Sequence, residues 1–295
     1  MKRFSLIFAA VLLTVGLAAC SDDKQDSKQE ETKPVFKIGA IPDQNASKLD
    51  KGMTDMANYL SKETGLKVEF VPSVDYNALV KGFERNEIQL AWFGGLTGVQ
   101  ARSLVEEADA IAQRPFDAEF HSVFITQKGG GIKSLEDLRG NSFTFGSESS
   151  TSGHLMARYY MTKAGINPDK DLDGQPNYSG SHDKTYKLIE SGAYKAGALN
   201  ESVWKAAVKN KKVDLNKVEV FYTTPAYFDY HWTINKVDKT YGDGTEEKVK
   251  KALLNMNVTE HKDVADLFQT DKFVETNNKN YKAIEEVAKQ LRIIK

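Results

Sequence analysis

The sequence predicts an α/β protein of two lobes joined by two crossover strands. Short β-prone segments alternate with segments of helical periodicity from Val35 onward. This alternation is interrupted by three consecutive glycines, residues 129–131, and then begins again. At 295 residues the chain is long enough for two lobes of ordinary size, even after an N-terminal leader is removed. Because strands separated by helices usually run side by side, we expect mostly parallel sheets covered on both faces.

Residues 1–20 are predicted to be an export signal. Lys2 and Arg3 precede an apolar run, Phe4 to Ala19, that is short for a membrane span. The run ends at Cys20, the single cysteine, so the sequence excludes a disulfide framework and a cysteine metal cluster. The tetrapeptide LAAC that ends at Cys20 resembles the lipobox of bacterial lipoproteins, which implies diacylation of this cysteine. Several acyl chains on one cysteine give stable anchoring, so we expect an exported protein on a bacterial membrane, facing the periplasm or the cell exterior.

Residues 21–34 (SDDKQDSKQEETKP) are predicted to form a disordered tether, because they are polar, charged and free of aromatic side chains. The formal net charge of the whole chain is −1. The signal contributes +2 and the tether −2, so the folded body also carries −1. A nucleic-acid partner is not expected, since it would need a basic face. An anionic ligand would have to be recognised by local groups.

Lobe 1 is predicted to comprise residues 35–127 and 232–295. Its first helix places Leu49, Met53, Met56 and Leu60 on one face. The predicted strands cover residues 35–41, 67–71, 89–93, 110–113 and 121–127. The predicted helices cover residues 48–62, 76–85, 96–107, 246–254, 264–267 and 282–291.

Lobe 2 is predicted to comprise residues 128–231, with the glycines 129–131 as the first crossing and residues 224–235 as the return. The predicted strands cover residues 142–146, 175–179, 194–199 and 218–222. The predicted helices cover residues 134–138, 154–163, 183–191 and 201–209.

The stretch from Ser142 to Lys163 contains the first candidate binding site. A predicted strand leads into a predicted helix through a run of hydroxyl side chains and Gly153. Such a turn brings free backbone N–H groups, hydroxyl donors and the positive end of the helix dipole together, which suits an anion. Simple helix capping explains the same residues without a ligand, and both interpretations stay open. A nucleotide is not expected, because no G-x-x-x-x-G-K-[ST] motif is present.

Several segments resemble the phosphate, phosphite and phosphonate-binding proteins of ABC importers. They are IGAIPDQNASKL, LAWFGGLTG, LEDLRGNSFTFGSESSTSG and SGSHDKTYKLIESGAYKAGALNESV. Within that family, the segments DQNASKL, FGGLTGVQAR and AEFHSVFI are most similar to a branch described as selenate-binding proteins. The resemblance covers nearly the whole chain after the tether. It implies a type 2 periplasmic binding protein, in which two α/β lobes close over a small oxyanion in the cleft between them. It also implies a permease and an ATPase as partners, no cofactor, no metal and no catalytic residues; we expect a monomer.

The resemblance also implies a ligand site built from both lobes. The hydroxyl run at Ser150 matches the anion-binding run of the family, and His182 matches a second position that reaches the ligand. The chain departs from several phosphonate binders at Leu96 and Thr97, near which they carry a tyrosine. The expected ligand-binding residues are Gln44, Asn45, Phe93, Gly94, Ser150, Thr151, Ser152, Gly153, Ser181, His182 and Tyr230.

Protonation of the ligand is expected to decide selectivity. Phosphite, phosphate and many phosphonates retain a proton as monoanions, whereas sulfate and selenate have none to donate at neutral pH. A buried carboxylate in the site would accept that proton and would repel sulfate or selenate. The candidate acceptors are Glu119, Glu201 and Asp229. A carboxylate in the cleft would favour a phosphorus oxyanion, and a site of donors alone would favour selenate or sulfate.

Other functions remain open from the sequence. An enzyme is not expected, because HExxH and GxSxG motifs are absent and Cys20 is predicted to be lipidated. The aromatic residues 227–232 leave room for a larger organic ligand, such as a sulfonate or a thiamine precursor. A sensory lipoprotein without a transporter is a further alternative.

Overall fold

The structure is a computed structural model that describes residues 34–295. Cys20 and the tether up to residue 33 lie outside the described residues, so the signal, tether and lipid anchor stay predictions. Within residues 34–295, no helix is both long enough and apolar enough to cross a membrane.

The described chain alternates strands and helices from end to end. The strands are β1 (Phe36–Ala40), β2 (Val68–Phe70), β3 (Leu90–Phe93), β4 (Asp109–Gln113), β5 (Ser122–Gln127), β6 (Phe143–Phe145), β7 (Asn177–Tyr178), β8 (Ala196–Asn200), β9 (Val218–Thr223), β10 (His231–Ile234) and β11 (Val274–Glu275). The α-helices are α1 (Ala46–Thr64), α2 (Tyr76–Glu84), α3 (Gly95–Leu104), α4 (Met156–Lys163), α5 (His182–Glu190), α6 (Glu201–Lys209), α7 (Asp238–Tyr241), α8 (Thr245–Asn255), α9 (Lys262–Phe268) and α10 (Lys282–Gln290). A π-helical turn, Thr151–Leu155, leads directly into α4.

The strands form two mixed sheets, in the orders β11-β4-β10-β3-β1-β2 and β7-β6-β8-β5-β9. Five of the nine strand pairings are antiparallel, so the expectation of mostly parallel sheets was wrong. The reason is that β5 and β10 are the strands that receive the chain after each crossing. Each of them runs against both of its neighbours, and hydrophobic periodicity carries no information about strand direction.

The chain crosses between the sheets earlier than the glycines 129–131. Residues 122–127, which were predicted to belong to lobe 1, pair with β8 and β9 in the second sheet. The glycines lie exposed beyond the end of β5 and form a turn rather than a crossing. We propose that lobe 1 comprises residues 34–113 and 231–295, and that lobe 2 comprises residues 122–223.

The two connections between the lobes are hydrogen bonded to each other. Phe120 and Tyr227 form an isolated antiparallel bridge, with N–H···O distances of 2.9 and 3.0 Å. The backbone N–H of Asp229 donates to the carbonyl oxygen of Asp117 at 3.0 Å. The side chain of Asp117 holds Arg114 in a buried two-point ion pair, with both Nε···Oδ2 and Nη2···Oδ1 at 2.7 Å. Because Asp117 is held by this ion pair, its hydrogen bond fixes the position of the Asp229 backbone in the return connection.

Each sheet is covered by its own helices and has its own apolar core. In the first lobe, the apolar face of α1 is buried as its periodicity predicted, and Trp92 and Trp232 pack together at 5.3 Å between ring centroids. In the second lobe, Phe124 and Phe143 lie 6.0 Å apart at the centre of the core. The start of α4 differs, because Leu155 and Met156 pack into the core of the first lobe. The helix start at Ser150 therefore lies at the junction of the lobes.

Candidate functional site

The candidate site is centred on the helix start at Ser150. The hydroxyl of Ser150 caps the helix by accepting a hydrogen bond from the N–H of Gly153 at 2.9 Å. The first backbone N–H groups of a helix, here those of Thr151 and Ser152, have no acceptor within the helix. All residues from Ser150 to His154 are buried. The positive end of a helix therefore points into the interior, where an anion would be stabilised.

A second helix start, that of α3 in the first lobe, lies against the first. The N–H of Leu96 donates to Thr151 Oγ1 at 3.0 Å, and the N–H of Gly95 donates to Asp229 Oδ1 at 2.8 Å. Gly94 makes this close approach feasible. A Cβ atom there would lie 3.1 Å from Thr151 Oγ1 and 3.2 Å from Asp229 Oδ1. The Gly-Gly pair after β3 thus brings two helix starts and one carboxylate together.

Three buried polar atoms around this junction have no hydrogen-bond partner among the described residues. They are Tyr76 Oη, Ser152 Oγ and Asp229 Oδ2. The Tyr76 hydroxyl lies beside that of Ser150, the Ser152 hydroxyl lies towards Tyr227, and the Asp229 carboxyl lies beside Thr151, so all three surround the same helix start. An unsatisfied buried polar group costs about 1–3 kcal/mol. Two hydroxyls and one carboxylate oxygen are therefore available to a small polar ligand.

The site contains a titratable acid and few full charges. Burial raises the pKa of Asp229 to about 7, although the N–H of Gly95 and the hydroxyl of Thr151 oppose the rise. Burial lowers the pKa of His154 and that of His182 to about 4 each, so both imidazoles are neutral at pH 7. Near neutral pH, Asp229 is thus a group at this helix start that can take up or release a proton.

A second polar cluster joins the lobes at Asp43. The Tyr230 hydroxyl donates to Asp43 Oδ2 at 2.9 Å and accepts from Asn200 Nδ2 at 2.8 Å. The N–H of His182, the first of α5, donates to the carbonyl oxygen of Asp43 at 3.0 Å. Burial raises the pKa of Asp43 to about 6, and the hydrogen bond from Tyr230 opposes this. The start of α5 is therefore occupied by a carbonyl of the opposite lobe.

Both ring nitrogens of His182 are engaged within this cluster. Nδ1 accepts from the N–H of Asn200 at 3.3 Å, which places the ring hydrogen on Nε2, 3.3 Å from the Tyr230 hydroxyl. The ring also backs onto Gly153, where a Cβ atom would lie 3.1 Å from His182 Cε1. His182 thus packs against Gly153 at the helix start, and neither of its ring nitrogens is among the unpartnered polar atoms.

Other residues expected at the site lie in the core or at the rim. Phe93 is fully buried and packs edge-on against Phe83 at 5.5 Å, in the core of lobe 1. Gln44 accepts from Lys48 Nζ at 3.2 Å near the mouth of the cleft. Asn45 caps α1 there through the N–H of Lys48.

Of the three candidate acceptors, only Asp229 lies in the site. Glu119 is exposed, and Glu201 forms an ion pair with Lys205 at 2.6 Å on α6. Ser181 is buried, but its hydroxyl donates to Asp183 Oδ1 at 2.6 Å.

Sequence reasoning missed Asp43 and Tyr76. Asp43 follows the carboxyl end of β1, which is where ligand clefts form in α/β proteins, and this position could have singled it out. Tyr76 begins α2 directly after the capping residue Asp75, and no feature of the sequence distinguishes it from other buried tyrosines.

Comparison with known proteins identifies the family. Residues 38–281 match the family described as ABC transporter, phosphonate, periplasmic substrate-binding protein. The chain is also 40% identical over 270 residues to the probable ABC transporter phosphite binding protein PhnD1 of Prochlorococcus marinus strain MIT 9301. That match covers 88% of this chain and 91% of PhnD1. The chain belongs to this family. It is a periplasmic substrate-binding protein of the ABC transporter type, so the predicted role is confirmed.

Solved structures agree with this membership. The structure of PhnD1 in complex with methylphosphonate has a TM-score of 0.85 and covers 88% of this chain and 99% of that one. A binding protein component of an ABC phosphonate transporter from Pseudomonas aeruginosa, 20% identical, has a TM-score of 0.76 over 86% of this chain and 85% of its own. The aliphatic sulphonate binding protein SsuA of Escherichia coli, 14% identical, has a TM-score of 0.61 over 88% of each chain. The last two show the fold alone, and together these structures confirm the predicted two-lobe α/β class.

Proposed function

We propose that this family member binds a protonated phosphorus oxyanion, phosphite or a small phosphonate, around Asp229. It would then deliver the anion to the permease and ATPase of an ABC importer. One observation carries this proposal: an unpartnered oxygen of the buried Asp229 carboxyl and the unpartnered hydroxyls of Tyr76 and Ser152 surround the helix start at Ser150. The relation to PhnD1, a probable phosphite binding protein whose structure holds methylphosphonate, supports the same class of ligand.

The site matches a monoanion that carries one proton. Phosphite and methylphosphonate monoanions have one P–OH donor and two further oxygens. Asp229 Oδ2 is the acceptor for the P–OH group, and Ser152, Tyr76 and the first helix N–H groups are donors for the other oxygens. Sulfate and selenate have no proton to donate, so their oxygens would face the Asp229 carboxylate without a hydrogen bond. The negative charges of ligand and carboxylate would then repel each other. We therefore propose that selenate, although indicated by the resemblance of three segments, is not the ligand.

No catalytic role is part of this proposal. His154 is neutral and engaged on both sides, since Nδ1 lies 2.6 Å from the carbonyl oxygen of Glu148 and Nε2 accepts from Arg158 Nε at 3.0 Å. Within residues 34–295, no group of three histidine, aspartate or glutamate side chains could hold a metal ion. We propose that the site binds and releases its ligand unchanged.

A thermal-shift panel on the mature chain tests the ligand class. Phosphite and methylphosphonate are expected to raise the unfolding midpoint, because a ligand at a hundredfold its dissociation constant adds about 2.7 kcal/mol to the free energy of unfolding. Sulfate and selenate at the same concentrations are the matched controls and are expected to give no shift. A shift with selenate or sulfate alone would reject the proposal. Taurine and thiamine are included as larger organic compounds, and a shift with either of them alone would indicate a larger organic ligand instead.

We also propose that Cys20 carries the lipid anchor. Its position after LAA at the end of an apolar run supports this assignment. The Cys20→Ser variant of the full-length precursor, expressed in a bacterium, is expected to leave the membrane fraction, whereas the wild type and Ser21→Ala remain there. Equal partitioning of wild type and Cys20→Ser would refute the anchor. Permease and ATPase genes beside this gene would favour transport over a purely sensory lipoprotein.

A further inference from the structure

His231 lies next to the proposed ligand site but does not reach into it. Its Nδ1 lies 2.9 Å from the carbonyl oxygen of Asp229, and its Nε2 lies 2.7 Å from Arg102 Nη1. His231 is fully buried, as is Asp229. Neither contact has a role in the ligand contacts proposed above. Direct contact with the ligand therefore does not explain the two successive hydrogen bonds that link Arg102, His231 and Asp229.

The arginine fixes which nitrogen of His231 carries the hydrogen. A guanidinium group can only donate hydrogen bonds, so Nε2 of His231 must be the acceptor. The neutral ring then has its hydrogen on Nδ1, and this hydrogen is donated to the carbonyl oxygen of Asp229. Burial and the charge of Arg102 lower the pKa of His231 well below its ordinary value, which keeps the ring neutral.

Packing prevents the ring from turning over. The His231 ring lies on the ring of Tyr281 with a centroid distance of 3.9 Å, and the Arg102 guanidinium lies over the same tyrosine at 5.1 Å. Gly98 is also close to the ring, since a Cβ atom there would lie 2.3 Å from His231 Nε2. Only glycine at residue 98 leaves room for the ring in this place. Contacts with Arg102, Tyr281 and Gly98 thus keep the His231 ring in the orientation that makes the hydrogen bond to Asp229.

We propose that His231, set in its tautomer by Arg102, is a positioning residue that aims the Asp229 carboxylate at the proton of the ligand. The N–H of Asp229 donates to Asp117, its carbonyl accepts from His231, and its Oδ1 accepts from Gly95. With these three atoms fixed, Oδ2 alone is free to face a ligand. Loss of the His231 contact releases the peptide plane between Asp229 and Tyr230 and lets the carboxylate turn away. This inference rests on the proposed recognition of a protonated oxyanion by Asp229.

Two substitutions of His231 separate this role from simple packing. Asparagine places its amide nitrogen where Nδ1 lies and can still donate to Asp229, whereas glutamine places it where Nε2 lies and cannot. His231→Asn is expected to keep the affinity for phosphite within about threefold of wild type, and His231→Gln is expected to lower it about tenfold. The affinity ratio of phosphite to sulfate should fall with His231→Gln and be restored with His231→Asn. Equal loss in the two variants, or an unchanged ratio in His231→Gln, would overturn the proposal.

A measurement without ligand tests the positioning role of His231 separately from the proposed binding of a phosphorus oxyanion. Long-range ¹H–¹⁵N NMR of the wild type should show the Nδ1–H tautomer of His231, and Arg102→Met should lose this preference. An Nε2–H tautomer in the wild type would overturn the positioning role even if phosphite binds. Failure of the wild type to bind phosphite or methylphosphonate would instead reject the proposed function. Arg102→Met, which leaves His231 in place, should also lower the phosphite-to-sulfate ratio, and serves if His231→Gln does not fold.

Discussion

Asp229→Asn is expected to weaken phosphite binding by about 10- to 100-fold, because a hydrogen bond to a charged group contributes about 1.5–3 kcal/mol. The amide oxygen of asparagine can still accept from the N–H of Gly95, so the junction between the helix starts is retained. The amide nitrogen then replaces Oδ2 and presents a donor to the P–OH donor of the ligand. Sulfate and selenate meet a donor in place of a charge, so their affinity should rise. Isothermal titration with phosphite, methylphosphonate, sulfate and selenate measures this reversal of preference.

The same substitution has a pH-dependent effect on the ligand-free protein. The pKa of Asp229 is about 7 in the folded protein, against an ordinary value of 3.8. Because the folded state keeps this proton longer than the unfolded state, the contribution of Asp229 to stability falls as pH rises from about 4 to about 7. Asparagine has no such loss, so the melting temperature of Asp229→Asn minus that of wild type should increase over this interval. Glu119→Gln, which changes an exposed acid, is the control. A difference that stays constant with pH, or unchanged phosphite affinity, would contradict the role given to Asp229.

Local patterns were sufficient to predict most elements but not how they pair. Helix α6 has the predicted bounds, 201–209, because its start and its apolar face are both encoded locally. The membership of β5 was predicted wrongly, since a β-prone segment can pair in either sheet. The three consecutive glycines were predicted to be the first crossing between the lobes, but this crossing lies at residues 114–121. The features that mark it, the bridge at Phe120 and the Arg114 ion pair, form only in the folded chain.

In the candidate site too, features encoded along one segment were predictable from sequence, and features that depend on contacts between distant segments were not. The hydroxyl run at Ser150 was predicted from sequence as a candidate site, because a strand, a loop of hydroxyl residues and a helix follow one another along the chain. The contribution of Tyr76 could not be found, because its hydroxyl reaches the site only when α2 and the start of α4 meet across the lobes. Phe93 was expected to line the cleft from its place beside the Gly-Gly loop. Its side chain lies on the face of β3 that packs into the core. All four residues of β3 are buried, so the sequence does not show which of them face the core and which face the cleft.

Tyr76→Phe and Ser152→Ala are expected to lower ligand affinity without lowering the stability of the ligand-free protein. Each substitution removes a buried hydroxyl that has no partner, so the free energy of unfolding should stay the same or rise. In the complex, the same hydroxyl would donate to an anion, and its loss is expected to cost about 10- to 100-fold in affinity. Chemical denaturation without ligand and titration with phosphite measure the two quantities separately.

Ser150→Ala is the matched control, because it lies in the same helix start but its hydroxyl already has a partner. Loss of this cap is expected to lower the free energy of unfolding by about 1 kcal/mol. A loss of stability in Ser150→Ala without a loss in Ser152→Ala, two positions further along the same turn, would not arise from general disturbance of the helix. If Tyr76→Phe and Ser152→Ala instead destabilise the ligand-free protein and bind phosphite as wild type does, the unpartnered hydroxyls are structural. The anion would then have to be bound elsewhere in the cleft.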